Sequence, residues 1–407
     1  MRILIYSYNY YPEPIGIAPL MTELAEGFTQ RGHQVRVVTG MPWYPKSEID
    51  SAYQRKLYLT ENRNGVTIQR SFVWARPQRS FRNRALFELS FVVLSFLQAL
   101  KGWRPDVILL TIPGLPVAVP AAVLSKIYRV PVVLNLQDIL PDAAVHVGLL
   151  TNPKLIRVFK GLERFAYRTA TRISVIAEGF IDNLVSKGVP AEKIDLIPNW
   201  VDVDFIRPLP QENNAFRQEH SLENKFVVLY SGNIALTQGL ETVIEAAVHL
   251  RSIPQIKIVI VGEEKALLRL KEYCQEVGAD NVLLLPFQPR ERLPEMLAAA
   301  NVGLVVQKKN VISFNMPSKI QVLLASGRPI IGSVPRNGTA AKAIEKSGGG
   351  MIVLPENPKA LAQGIIQLYS NPEQLAKLGK QGREYAIANY AFETTLERYE
   401  TLFAKVV

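Results

Sequence analysis

Short apolar runs alternate with longer amphipathic stretches along the whole chain, the pattern of buried parallel strands joined by helices. In the first half, runs at 2–6, 34–39, 66–70, 107–110, 132–136, 172–176 and 194–197 predict strands. A helix is expected over 18–31, ended by Gly32. The rhythm breaks at Pro198-Asn199-Trp200 and again at Pro208 and Pro210, crosses a polar stretch, and restarts at 226–230. Further strands are predicted at 257–261, 282–285, 302–306, 329–332 and 351–353. This reads as α/β, with two Rossmann-like domains in tandem, each built on a parallel sheet and hinged near 203–224. Ligands bind such sheets where strand carboxyl ends meet helix amino ends, so an interdomain cleft is the expected site. The loops that would line it are 7–17 and 137–146 in the first half, and 231–239, 262–264, 286–290 and 307–319 in the second.

Length agrees: 407 residues at roughly 150 per domain give two or three domains. With 48% hydrophobic and 20% charged residues, disorder and fibrous repeats are excluded. A single cysteine, Cys274, excludes an internal disulfide framework and Cys-based zinc sites, and fits a reducing compartment. Met1-Arg2 leads straight into a strand, so no signal peptide is expected. The uncharged run 107–125 holds Pro113, Gly114, Pro116 and Pro120, which split it into strand, turn and helix. The apolar stretch 85–100 carries Glu88 and falls short of the roughly 20 residues a spanning helix needs.

The net charge of +11 is uneven. Residues 1–200 hold 24 basic and 15 acidic side chains (+9), against 23 and 21 (+2) in the remainder. Just before the apolar stretch, Arg76, Arg79, Arg82 and Arg84 crowd around Trp74, Phe81 and Phe87. Arginines beside aromatics suit an anionic membrane surface; a solvated basic loop ahead of a core helix is the plain alternative. No nucleic-acid fold signature accompanies the patch, and nucleic acid is not an expected partner.

Three segments carry candidate chemistry. Met316-Pro317-Ser318-Lys319 opens a helix expected to run to Ala325, with Asn315 as cap and Pro317 in the first turn. First-turn amides and the helix dipole favour a diphosphate there, and Lys319 adds a formal charge. An ordinary capped helix with a surface lysine explains the same spacing. Tyr230-Ser231-Gly232-Asn233 followed by Thr237-Gln238-Gly239 joins a strand to its helix, either as a ligand-cradling loop or as a structural turn; it is neither a P-loop nor a full dinucleotide fingerprint. Asp138, just past the strand at 132–136, is placed to meet a reacting hydroxyl or to cap a helix. Among the four histidines, His33 suits a helix-end role, His146 a packed one, and His220 and His249 the surface. Metal chelation gains no support from them, and Asp202-Val203-Asp204 is too short a spacing to argue for it.

Taken in order, Tyr10-Tyr11-Pro12-Glu13-Pro14-Ile15-Gly16, Arg31-Gly32-His33-Gln34-Val35, Ile197-Pro198-Asn199-Trp200-Val201-Asp202, Tyr230-Ser231-Gly232-Asn233, Pro317-Ser318-Lys319 and Ala325-Ser326-Gly327-Arg328-Pro329 resemble the GT-B glycosyltransferases. The likeness covers essentially the whole chain. It is narrowest to the retaining, polysaccharide-building bacterial family, in its colanic-acid-type branch. The resemblance implies an acceptor-binding domain over 1–204, a nucleotide-sugar-binding domain over 205–389, and a C-terminal helix, 390–407, returning to the first domain. It implies hexosyl transfer from a nucleotide-diphosphate donor, with neither metal nor other cofactor. Carried over by position, Gly16 lies beside the donor phosphates, Gly232, Asn233 and Gln238 line the diphosphate loop, and Pro317 and Ser318 hold diphosphate at the helix start. Asp138 and Lys319 are the residues expected to serve catalysis. The family's loop Arg and Lys fall here on Asn233 and Gln238, and its paired glutamates on Phe314 and Val322. Lys319 is therefore expected to take over phosphate neutralisation.

The leading expectation is a transferase extending a polyprenyl-linked saccharide, cytoplasmic and peripheral to the inner membrane face. A nucleotide-sugar epimerase of the same fold, or a non-catalytic membrane-associated nucleotide-sugar sensor, are the competing classes.

Overall fold

The computed structural model describes residues 1–407 apart from 15, 79, 113, 147, 149, 236 and 312–315, and apart from the side chains of residues 81, 143 and 146. Arg79, Phe314 and Asn315 therefore lie outside the described residues, as does the His146 side chain. The chain divides into two compact units.

The first unit comprises residues 1–176, 184–197 and 396–407. Its sheet contains β1 (Arg2–Tyr6), β2 (Gln34–Gly40), β3 (Tyr58–Arg63), β4 (Val66–Ser71), β5 (Val107–Ile112), β6 (Val132–Leu136), β7 (Arg172–Val175) and β8 (Ile194–Leu196). The order is β3-β4-β2-β1-β5-β6-β7-β8. Central strands are apolar on both faces because helices cover both, and Ile3 stands level with Val35 and Val107. β3 pairs antiparallel at the edge. It is the one strand the apolar rhythm does not announce, since Tyr-Leu-Thr-Glu-Asn-Arg mixes polar and apolar positions as a solvated edge strand does.

Residues 396–407 join this unit through specific contacts. Glu400 receives Arg31 at 2.7 Å and His33 Nε2 at 2.9 Å, and Phe403 packs on Phe28 with ring centroids 5.5 Å apart. His33 thus works at a helix end, tying the C-terminal helix Phe392–Ala404 to the strand it precedes.

The second unit comprises residues 177–183 and 198–395. Its strands are β9 (Phe226–Ser231), β10 (Ile256–Gly262), β11 (Val282–Pro286), β12 (Val302–Val306), β13 (Ile330–Ser333) and β14 (Gly350–Val353), all parallel, in the order β11-β10-β9-β12-β13-β14. The strand sequence reverses direction between β9 and β12, so the loops that follow these two strands diverge and leave a crevice. In the first unit the same reversal falls between β1 and β5. Asp202, in the short acidic run, uses Oδ1 to accept the amides of Asp204 (3.1 Å) and Phe205 (2.9 Å), a turn-forming role. Among the described residues no helix is long and apolar enough to cross a membrane.

Candidate active site

The crevice beside β9 and β12 is a cavity of about 360 Å³ lined by residues of both loops. Ser231, Gly232, Asn233 and Gln238 come from one side, and Met316 to Lys319 from the other. Leu293, Leu297, Leu304 and Val322 make the remaining wall apolar. All the second-half donor residues expected from sequence are thus brought together. The helix itself starts later than expected: it spans Lys319–Ala325, with Ser318 as N-cap and no side-chain cap bond, so Pro317 precedes it instead of filling its first turn. The Ile320 amide donates to the Pro317 carbonyl at 3.1 Å, closing the lead-in turn.

Lys319 is the chemically unusual member. Its terminal nitrogen is buried and has no hydrogen-bond partner among the described residues. It lies 3.5 Å from the centroid of the Tyr230 ring and faces the Gly232 turn. Burial without a counter-charge pushes its pKa down to about 7. A carboxylate or phosphate entering the cavity would restore the charge, because the desolvation that disfavours the ammonium is offset by an adjacent anion.

Tyr230 holds both sides. Its ring lies against Lys319, while its hydroxyl reaches the Asn233 carbonyl (2.6 Å) and Gln238 Oε1 (2.5 Å). Gln238 Oε1 also accepts the Ala235 amide at 3.3 Å, which fixes the orientation of the side chain and leaves its NH₂ group without an acceptor among the described residues. Gln238 therefore stabilises the loop with one end and has only a neutral donor to offer a ligand. Burial raises the Tyr230 pKa far above its usual value, so the phenol stays protonated. Gly232 adopts φ +136°, and a Cβ there would stand 3.3 Å from Lys319 Nζ. The position needs glycine on both counts.

Sequence reasoning missed Tyr230's part, since a tyrosine ending a buried strand reads as core. It also passed over Lys308, whose stem lies 3.3 Å from where a Cβ on Gly239 would stand and whose amide donates to the Thr237 carbonyl at 2.9 Å. A second cation thus borders the same loop.

Gly16 and Asp138 belong to the first unit. Gly16 has φ +74° and ends a loop braced by buried Glu13, whose carboxylate accepts the amides of Trp43 (2.9 Å) and Tyr44 (2.8 Å) and the Asn9 side chain (2.7 Å). Asp138 follows β6, is open to solvent, and makes no hydrogen bond or ion pair among the described residues, so it caps no helix. The surrounding protein still desolvates it enough to push its pKa up to about 6. Among the described residues no cluster of three His, Cys, Asp or Glu is arranged to hold a metal ion.

Of the arginine patch, Arg76 lies over the Trp74 ring at 4.7 Å. Arg84 pairs with Glu88 and lies 5.4 Å from the Phe87 ring centroid. Arg82 is exposed, whereas Phe87 is buried and not available to a partner.

Residues 16–200 match the glycosyl transferase 4-like domain, and residues 211–385 match the glycosyl transferases group 1 domain. The chain is 33% identical over 407 residues, 98% of each protein, to WcaI of Escherichia coli (strain K12), which is named as a glycosyl transferase of colanic acid biosynthesis. Among solved structures it is similar to Anabaena HepE in complex with UDP, with a TM-score of 0.74 at 18% identity and 100% of both chains covered. It is also similar to sucrose-phosphate synthase from Thermosynechococcus elongatus, with a TM-score of 0.72 at 18% identity, covering 99% of this chain and 98% of that one. With the two-sheet architecture and both domain matches in hand, the chain belongs to the GT-B glycosyltransferases, enzymes that transfer a sugar from a nucleotide donor.

Proposed function

We propose that this enzyme moves a hexosyl unit from a nucleoside-diphosphate sugar to a polyprenyl-linked saccharide during cell-surface polysaccharide synthesis, with retention of configuration and without a metal, at the inner face of the cytoplasmic membrane. The carrying observation is the buried Lys319 nitrogen facing the Gly232 turn, a cation that meets neither a hydrogen-bond partner nor an anion among the described residues. The colanic acid relative and the UDP held by HepE support the same reading of pathway class and donor class.

In this reading the glycosidic C–O bond to the β-phosphate breaks as the acceptor hydroxyl forms a new bond to the anomeric carbon from the same face. The departing diphosphate gathers negative charge, which Lys319, the Ser318 and Lys319 amides and the Gln238 NH₂ stabilise more strongly than the ground state. Asp138, ionised above pH ~6, receives the hydroxyl proton. Gly16 leaves room beside the phosphates. The test is a panel of nucleotide sugars, each incubated with and without polyprenyl-diphosphate saccharides. Acceptor-dependent release of nucleoside diphosphate supports transfer. An altered sugar or free nucleotide without acceptor would point to an epimerase, and binding without turnover to a sensor; either outcome removes the proposal.

A further inference from the structure

We infer that the membrane-docking surface of this enzyme is a three-helix face of the first unit, shaped to rest on anionic lipid, and that the arginine cluster at 76–84 is not its centre. The inference deepens the reading of a lipid-carried acceptor, but it is measured without turnover.

Helices Phe81–Ala99, Ala118–Tyr128 and Pro153–Thr169 provide the crossovers β4→β5, β5→β6 and β6→β7. All three crossovers advance in the same direction across the sheet, so right-handedness lays the helices on one face. The first contacts the second, and the second the third. Their outward stripes are apolar. Leu89, Val93 and Leu97, spaced four apart, are 60%, 47% and 47% exposed, and Val119, Val123 and Ile127 repeat the spacing at 41%, 41% and 53%. Spacing of four turns each set to one side of its helix. On the third helix Val158 and Phe165, seven apart, continue the stripe at 58% and 40%. Helix faces that merely cover a sheet bury such residues; these remain exposed with the whole chain in place.

The polar part of the same face has a single sign. On the third helix Lys154, Arg157, Lys160, Arg164 and Arg168 are exposed, and none forms an ion pair with a described residue. Lys126 and Arg82 add to them from the neighbouring helices. No exposed acidic side chain occurs among the described residues of the three helices. Aliphatic residues flanked by unpaired cations match the acyl–headgroup boundary of an anionic leaflet, where the stripe enters the interface and the cations meet phosphate. A second copy docking the same face would oppose like charges across a two-fold axis. A nucleic acid would leave the aliphatic stripe without a partner, because bases need aromatic or hydrogen-bonding side chains. The other arginines of the 76–84 cluster are less free: Arg84 is paired with Glu88 within the first helix, and Arg76 lies over the Trp74 ring.

Sedimentation of the full chain with phosphatidylglycerol/phosphatidylcholine vesicles, against pure phosphatidylcholine, tests the inference. Wild type is expected to bind the anionic vesicles preferentially. Substituting Arg157→Gln, Arg164→Gln and Arg168→Gln together should weaken binding by about fivefold per charge at low salt. Leu89→Ser with Val123→Ser should weaken it at every salt concentration, whereas Arg76→Gln should leave it within twofold. Unchanged far-ultraviolet circular dichroism and a melting transition as cooperative as that of wild type show that the variants are folded. Vesicle binding unchanged in both helix variants, or lost only with Arg76→Gln, would overturn the inference. So would a stable dimer that those helix variants dissociate, because the face would then belong to a second copy. If transfer onto a lipid-linked acceptor fails while this binding pattern holds, the acceptor assignment is wrong and the docking face stands.

Discussion

Replacing Lys319 by methionine, which keeps the stem and removes the charge, should stabilise the ligand-free protein while weakening its hold on nucleotide. In the folded state the ammonium titrates at about 7 against an ordinary 10.5. Between those values the unfolded chain binds the extra proton, so wild-type stability rises with pH across this window, and the penalty is fully present below it. At pH 7 the penalty is about 4 kcal/mol, from ~1.36 kcal/mol per pKa unit. That penalty already contains every interaction that separates the charged from the neutral form, the contact with the Tyr230 ring 3.5 Å away included, so Lys319→Met should gain on the order of 4 kcal/mol, or a melting-point rise of roughly 8–16 °C for a unit of this size. Nucleotide binding reverses the sign. At pH 8 most of the empty-site lysine is neutral, and an entering diphosphate draws in about 0.9 proton. Titration calorimetry of UDP in two buffers of different ionisation enthalpy reads that proton directly, and the methionine variant should show none from this group. A Lys319→Met melting point equal to or below wild type, together with no buffer dependence in wild type, would refute the reasoning.

Asp138→Asn should lower turnover on the order of 100-fold and remove the acid limb of the wild-type profile, in which kcat/KM falls as pH drops through about 6 and the carboxylate protonates; an unchanged profile would take the proton-acceptor role from Asp138. Gly232→Ala, strained at φ +136° and crowding Lys319, should cost roughly tenfold or more in nucleotide affinity by the same calorimetry. Chelation with EDTA should leave transfer within twofold of its untreated rate, and a loss restored by a divalent cation would contradict metal-independent transfer.

The two sheets were legible because their strands are short, doubly buried apolar runs punctuated by glycine and proline; the run at 132–136 becomes β6 without change. β3 was not, since an antiparallel edge strand shows water half of its residues and loses the apolar signature. The donor residues were legible as motifs, but their proximity was not. Gly232 and Lys319 stand 87 positions apart in sequence and meet because the strand order reverses between β9 and β12, a property of the whole sheet. Tyr230 was hidden for a related reason: its burial reads as core until its ring is seen against a lysine nitrogen. The stripe at Leu89, Val93 and Leu97 misleads in the opposite direction, because an apolar helix implies burial and only the packed chain reveals which of its faces stays open. The +9 of the first half likewise gains an address. Much of it lies on the helix Pro153–Thr169, which carries five exposed cations, and not only on the arginines at 76–84.

The most direct test of the central claim is the transfer rate at saturating donor and acceptor for wild type and Lys319→Ala. If the buried lysine stabilises the departing diphosphate, kcat falls by about 100-fold or more in the variant, with a smaller change in donor affinity. A variant that turns over at the wild-type rate would show that the leaving-group charge is carried elsewhere, and the account of this site would fall with it.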